Sequence, residues 1–234
     1  AKSIHSYLGY EDINNKFLSL ISNPVEGRRT FSSLKINNNS YSNGFKISSA
    51  IGIQTLSYNL DNSMQKTKSV AVPNLSIDIS SLFVNKIDEA IHLIKPKIFY
   101  GYVGYKDQSM NPVFDSNNVS KMNQIFNVSR FSGMDRIGDE NFYSLGMNYT
   151  KREMGRDKFS FEISKKYYLK DRKVSLSDLN MHSMNMSSMQ MMSLSSDEDP
   201  LMLMSKWMPN MNTMIMTYGS YHKDQKKFPM AGIS

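Results

Sequence analysis

Residues 130–141, "RFSGMDRIGDEN", set Arg130 and Arg136 against Asp135, Asp139 and Glu140, with Gly133 and Gly138 between them. Asp135 and Asp139 have the residue type of a general acid and base pair. Such a pair needs a nucleophile, or a partner of matched pKa, and neither His nor Cys lies near. The charges nearly balance, which leaves little surplus positive potential for an anionic ligand. The architectural reading has the arginines pairing with these carboxylates to fix a loop, and partial burial would make that more than a weak surface contact. A sharper reading gives Arg136 a direct contact with a phosphate. Gly133 and Gly138 suit turns closed to other residues.

Other candidate chemistry is sparse. His5, His92, His182 and His222 stand far apart, in no metal-ligand spacing. Asp197, Glu198 and Asp199 offer oxygens to calcium, but Pro200 ends the run without an EF-hand spacing, so it reads as a solvated turn. "GYVGY" at 101–105 lacks the glycine pattern and the following helix of a phosphate loop. It reads instead as a strand whose small residues let neighbours approach closely. The 234 residues include no Cys, which excludes a disulfide framework and a thiolate metal site within them. No catalytic, cofactor-binding or metal-ligating residue is therefore expected, and no cofactor; the chain reads as a non-enzyme. A net charge of +7 suits phosphates, yet basic residues spread from Lys2 to Lys227 without a dense tract, the pattern of an ordinary solvated surface.

The elements that must position these residues read as strands. Tyr and Phe number 13 and 12, and Ser and Asn are abundant, which favours strands and polar turns. A period of two is clearest in "NLSIDISSLF", where Leu75, Ile77, Ile79 and Phe83 oppose Asn74, Ser76, Asp78 and Ser80. In "FYSLGMNYT", Tyr143, Leu145, Met147 and Tyr149 oppose Ser144, Gly146, Asn148 and Thr150. In "KFSFEISKKYYL", Phe159, Phe161, Ile163, Tyr167 and Leu169 oppose Ser160, Glu162, Ser164 and Lys166. Further strands are expected over 31–38, 45–58, 95–106, 123–131, 200–208 and 212–222, giving about nine strands in a meander. The second face is Ser, Asn, Thr, Gly, Lys and Glu rather than core residues, as in a membrane barrel, although a soluble sandwich has the same alternation. No run approaches the 18 or so apolar residues of a membrane helix, a test that a barrel strand escapes. The Met- and Ser-rich stretch 179–199 has no clean period and reads as a long loop, or as an adaptable Met-rich contact surface.

Several stretches resemble a known family. "KPKIFYGYVGYKDQSMNPVFDS" at 95–116, "RFSGMDRIGDEN" at 130–141 and "ISKKYYLKDRKVSLSD" at 163–178 are similar, in order and spacing, to the C-terminal barrel of the LptD family of lipopolysaccharide-assembly proteins. The similarity approaches identity at "DQS", "FDS", "RFSG" and "DRIGD". "VEGRRTFSSLKI" and "IGIQTLSYNL" look like earlier barrel strands, and "DPLMLMSKWMPNMNTMIMTYGSYHKD" like a later hairpin. The chain departs from the family pattern in lacking prolines over 31–42, in Ser164-Lys165 where a Gly-Gln pair is expected, and in its many downstream Met.

The resemblance implies an all-β fold, an antiparallel transmembrane β-barrel built as a meander. Residues 1–234 would be a single barrel region, an interior portion of a larger barrel. The implied function is that of an outer-membrane translocon component of a Gram-negative bacterium, which inserts lipopolysaccharide into the outer leaflet without making or breaking a bond. Its implied partners are lipopolysaccharide, an LptE-type lipoprotein plug inside the barrel, and a periplasmic Lpt bridge reached through a domain absent from these residues. The membrane is a partner and nucleic acid is not. On this reading Arg130, Asp135, Arg136, Asp139 and Glu140 form a structural polar cluster beside the lumen. Leu75, Ile77, Ile79, Tyr143, Leu145, Met147, Phe159, Phe161 and Ile163 face lipid. A passive porin and a soluble β-sandwich binding module are the competing readings.

Overall fold

A computed structural model describes residues 2–8, 26–61, 67, 69–176, 199–210, 212–222 and 227–233. Their strands are β1 (Lys2–Leu8), β2 (Glu26–Ser42), β3 (Phe45–Asp61), β4 (Val70–Ser81), β5 (Phe83–Ile87), β6 (Ala90–Val103), β7 (Glu140–Glu153), β8 (Arg156–Tyr168), β9 (Leu201–Trp207), β10 (Ile215–His222) and β11 (Lys227–Ile233). All join one antiparallel sheet in the order β1-β2-β3-β4-β6-β7-β8-β9-β10-β11, with β5 paired to β6. Among the described residues β1 and β11 are its two edges, so the sheet is open. The architecture is all-β and a meander, as the alternation requires.

Local sequence explains how the meander turns. Two-residue turns at Asn43-Gly44, Asp88-Glu89 and Met154-Gly155 join β2 to β3, β5 to β6 and β7 to β8, each opening on a residue with φ near +50°. That conformation matches the twist of the flanking strands. These turns lie at one end of the sheet. At the other end β6 and β7 are joined by the long segment 104–139, which folds back over one face.

The two faces differ in kind. On the open face the register aligns Ile47, Ile79, Ile98 and Leu145 in one row, and Met147, Ile163 and Leu203 in another. Ile36, Ile51, Ile98, Leu145 and Met147 are all more than 40% exposed there. On the covered face, Leu56, Tyr58, Val70, Val72 and Val103 pack with Ile137 and Phe114 of the 104–139 segment. Phe99, Phe142 and Tyr168 pack with its Phe126 and Val128. This corrects the expectation of a wholly polar second face: near the 104–139 segment that face is core. Gly101 is part of the reason, since a Cβ there would meet the Phe142 ring at 2.5 Å.

Residues 123–131, expected as a strand, form none. Lys121–Gln124 is a single helical turn, α1, capped by Ser120, and the chain then runs irregularly to a bridge between Phe131 and Asn118. Its apolar residues pack downward on the sheet instead of pairing within it, and a sequence period does not separate those outcomes. The Met- and Ser-rich loop, His182, Asp197 and Glu198 lie outside the described residues.

Candidate functional site

The 104–139 segment is held on the covered face by Asp135. Its Oδ2 accepts the consecutive amides of Phe114, Asp115 and Ser116 at 2.9, 2.7 and 3.0 Å. Its Oδ1 accepts from Arg29 of β2 at 2.5 Å and from the Tyr58 hydroxyl of β3 at 3.1 Å. Asp135 has no exposed surface and Arg29 is almost fully buried, so this is a buried ion pair whose remaining lone pairs are filled. Arg29 also forks onto Asp115, with contacts of 2.8 and 2.9 Å. Gln108 adds a two-way amide clamp, accepting the Ile137 N–H at 2.9 Å and donating to the Ile137 carbonyl at 2.8 Å. Gly133, with φ of 74°, turns the chain beside Asp115. Gly138 has no positive φ; it lies against Arg130 and Phe131, so its value is room rather than a turn.

The rest of the cluster reaches toward β8. Asp139 accepts the amides of Lys173 and Val174 at 2.8–3.0 Å, which ties the chain beyond β8 to the same network. Arg130 donates to the carbonyl of Val174 and stands 3.9 Å from Asp139. Arg136 donates to the carbonyls of Asn111, Pro112, Asp135 and Ser175. Glu140 pairs with Lys166 of β8 at 3.0 and 3.1 Å, with both side chains fully buried. Lys166 also lies 3.6 Å over the Phe142 ring, and Arg172 lies 3.7 Å over the ring of Tyr168. Tyr168 donates to Asp199 at 2.6 Å, and Lys121 of α1 pairs with the same carboxylate.

Electrostatics follow from the burial. The Arg29 guanidinium holds the Asp115 carboxyl down at about 2. Burial lowers the pKa of Arg130, opposed by the charges of Glu140 and Asp139. The carboxylates of this network accept from main-chain amides, tyrosine hydroxyls or cations, which suits anchoring. Among the described residues no group of three His, Cys, Asp or Glu could hold a metal.

The structure thus brings Arg130, Asp135, Arg136, Asp139 and Glu140 together in one buried cluster, with Arg130 beside Asp139 as the sequence suggests but with other partners for Asp135 and Glu140. Asp135 pairs with Arg29 and Glu140 with Lys166, both far away in the chain. Arg136 is 4% exposed and turned to main-chain carbonyls, which removes it from contact with a lipid phosphate in this arrangement. Asp199 is a second correction: it is 1% exposed and bound by Tyr168 and Lys121, not part of a solvated turn. Its amide also donates to the Lys166 carbonyl at 2.9 Å, which fixes where the chain enters β9. His92 is structural, with Nδ1 2.8 Å from the Tyr149 hydroxyl. Arg29, Gln108, Asp115 and Lys166 were the residues missed; for Arg29 and Lys166 the available signal was a charge at a strand position whose parity faces the core. Leu75, Ile77, Ile79, Tyr143, Leu145, Met147, Phe159, Phe161 and Ile163 all fall on the open face.

The network joins "DQS" through Gln108, "FDS" through the amides 114–116, "RFSG" through Arg130 and "DRIGD" through Asp135 and Asp139. A family model described as LPS transport system D, LptD, matches residues 6–231. LPS-assembly protein LptD of Acinetobacter baylyi is 35% identical over 128 residues, 54% of this chain and 15% of that protein. Its namesake in Acinetobacter baumannii is 31% identical over 166 residues, 69% of this chain and 20% of that protein. In Pseudomonas putida the identity is 38% over 140 residues, 56% of this chain and 15% of that protein. The chain therefore spans a fifth or less of the length of these relatives. With a family match over residues 6–231, the chain belongs to the LptD family.

Proposed function

We propose that residues 1–234 form one region of an outer-membrane β-barrel that inserts lipopolysaccharide into the outer leaflet. The observation that carries this reading is the two-sided sheet: an exposed apolar open face backed by a covered face whose uncovered part is polar. β2 and β3 have 17 residues each and β6 and β7 have 14, longer than the roughly 9 to 11 that a tilted strand needs to cross a bilayer. Leu75, Ile77, Ile79, Tyr143, Leu145, Met147, Phe159, Phe161 and Ile163 then meet acyl chains, and the covered face lines the lumen. Short turns are periplasmic in such barrels and long loops external, which puts the 104–139 segment inside the external mouth. Sugar passes along the polar lumen while acyl chains leave sideways, so no bond is made or broken. An LptE-type lipoprotein in the lumen and a periplasmic Lpt bridge complete the proposed assembly.

Two measurements on the complete gene product test this. Spin labels at Ile77 and Asp78 should differ in access to a lipid-soluble relaxer, and equal access at both positions contradicts the assigned faces. Depleting the protein from cells should remove newly made lipopolysaccharide from the surface. Unchanged delivery with a loss of small-solute permeation would favour a passive porin.

A further inference from the structure

Between the 104–139 segment and the two-residue turns, the covered face is a floor of small polar residues. One register row runs Lys46, Ser80, Lys97, Gly146 and Ser164. The next runs Lys95, Asn148 and Glu162. Two cavities there share Lys95. One, of about 540 Å³, is lined by Tyr41, Lys46, Ser80 and Lys95 among others. The second, of about 350 Å³, adds Lys97, Phe126, Asn148 and Glu162.

The cations on this floor are not equivalent. Lys97 pairs with Asp78 at 2.8 Å and sits 4.5 Å over the Phe126 ring. Lys46 and Lys95 are exposed and form no ion pair among the described residues. Both ammonium groups line the larger cavity, which no carboxylate lines, and raise its positive potential, whereas Glu162 lines only the smaller one; each ammonium is a compact point charge suited to a phosphate. Phe45 and Leu82 stand at the rim of the larger cavity, and its floor between the two lysines carries the Ser80 hydroxyl. Its hydroxyl and amide groups suit sugar hydroxyls, and Tyr41, 74% exposed, offers a flat ring for a sugar face.

We propose that Lys46 and Lys95 form a binding site for the phosphate groups of a phosphorylated saccharide, with Tyr41, Ser80 and Asn148 contacting the sugar. This rests on the covered face lining the lumen, and it deepens the transport reading by assigning residues to the anionic part of the cargo. A neutral glycan would have no need of the two unpaired lysines.

The test uses the complete gene product in detergent, with delipidated phosphorylated core oligosaccharide as probe. The same oligosaccharide after phosphatase treatment and inorganic phosphate are the comparison probes. Lys46→Gln with Lys95→Gln should weaken binding of the phosphorylated probe about tenfold, as loss of roughly 1.4 kcal/mol of charge-assisted contact would. Binding of the dephosphorylated probe should not change. Lys46→Arg with Lys95→Arg should restore affinity, and high salt should erase the difference. Retained protection of the Phe114–Ser116 amides shows that the Gln variant is folded. Equal affinity of parent and Gln variant for the phosphorylated probe overturns the proposal. So does inorganic phosphate binding as tightly as the oligosaccharide, because the saccharide contacts would then contribute nothing. Surface delivery of lipopolysaccharide is measured alongside: failure of the parent to deliver sinks the transport reading, whereas normal delivery without a binding difference sinks this site alone.

Discussion

Replacing Asp135 by Ala removes the acceptor of three consecutive amides and the partner of a buried guanidinium in one step. Breaking a buried pair by deleting one partner costs about 3–5 kcal/mol. Arg29 keeps its fork onto Asp115, which places the expected cost near the lower figure. At about 1.4 kcal/mol per tenfold, an opening equilibrium of the 104–139 segment should then rise about 100-fold. Hydrogen exchange at Phe114, Asp115 and Ser116 reads this directly, with Ile51 and Gln54 of β3 as references in the sheet. The expected result is fast exchange at 114–116 with the β3 amides unchanged. Asp115→Ala is the control: that side chain is 46% exposed, so its pair contributes at most about 1 kcal/mol. Unaltered exchange at 114–116 in Asp135→Ala, or equal acceleration throughout β3, would refute the view that this carboxylate anchors the segment to the sheet.

Arg136→Ala removes a charged donor from the carbonyls of Asn111 and Pro112, so the amount of folded barrel should fall while lipopolysaccharide delivery per folded molecule stays nearly constant. Normal folded levels with collapsed delivery would reverse that conclusion. Lys166→Met leaves Glu140 buried without its cation and should cost about 3–5 kcal/mol in a denaturant titration. Adding Glu140→Gln should recover much of the loss, and failure of the double variant to improve on the single would show that the pair is not coupled. Asp115, held at about 2 by Arg29, has a folded pKa below its ordinary value of 3.8. Its contribution is therefore fully present above about pH 4 and is lost as pH falls through about 2; isotope-edited infrared spectra should show the carboxylate still mostly ionised at pH 3, where an ordinary Asp is mostly protonated.

The parts of this fold legible in the sequence were those with a local period. β4, β7 and β8 alternate over most of their length, and the pleat turns that alternation into two faces. The four short motifs contain Gln108, Asp115 and Asp135 but neither Arg29 nor Tyr58, and they do not give the wiring. Arg29 meets Asp115 and Asp135 across 86 and 106 positions of chain, and no period encodes such a pairing. The run around 123–131 misled because Ile125 is buried, and Phe126 and Val128 partly buried, from above the sheet, which gives apolar residues without a strand. Asp199 misled for a related reason: beside Asp197, Glu198 and Pro200 it has the neighbours of a surface turn, and only the fold brings Tyr168 and Lys121 to it.

The central claim is that the covered face lines the path taken by lipopolysaccharide and the open face does not. Site-specific photo-crosslinking in living cells tests it most directly, with the reactive group placed at Ser48, Ser80 or Asn148 on the covered face and at Ile79, Leu145 or Met147 on the open face. The account predicts adducts with the lipopolysaccharide sugar at the covered-face positions, appearing only while transport is running. Cells that deliver lipopolysaccharide normally yet give no sugar adduct at any covered-face position would contradict it.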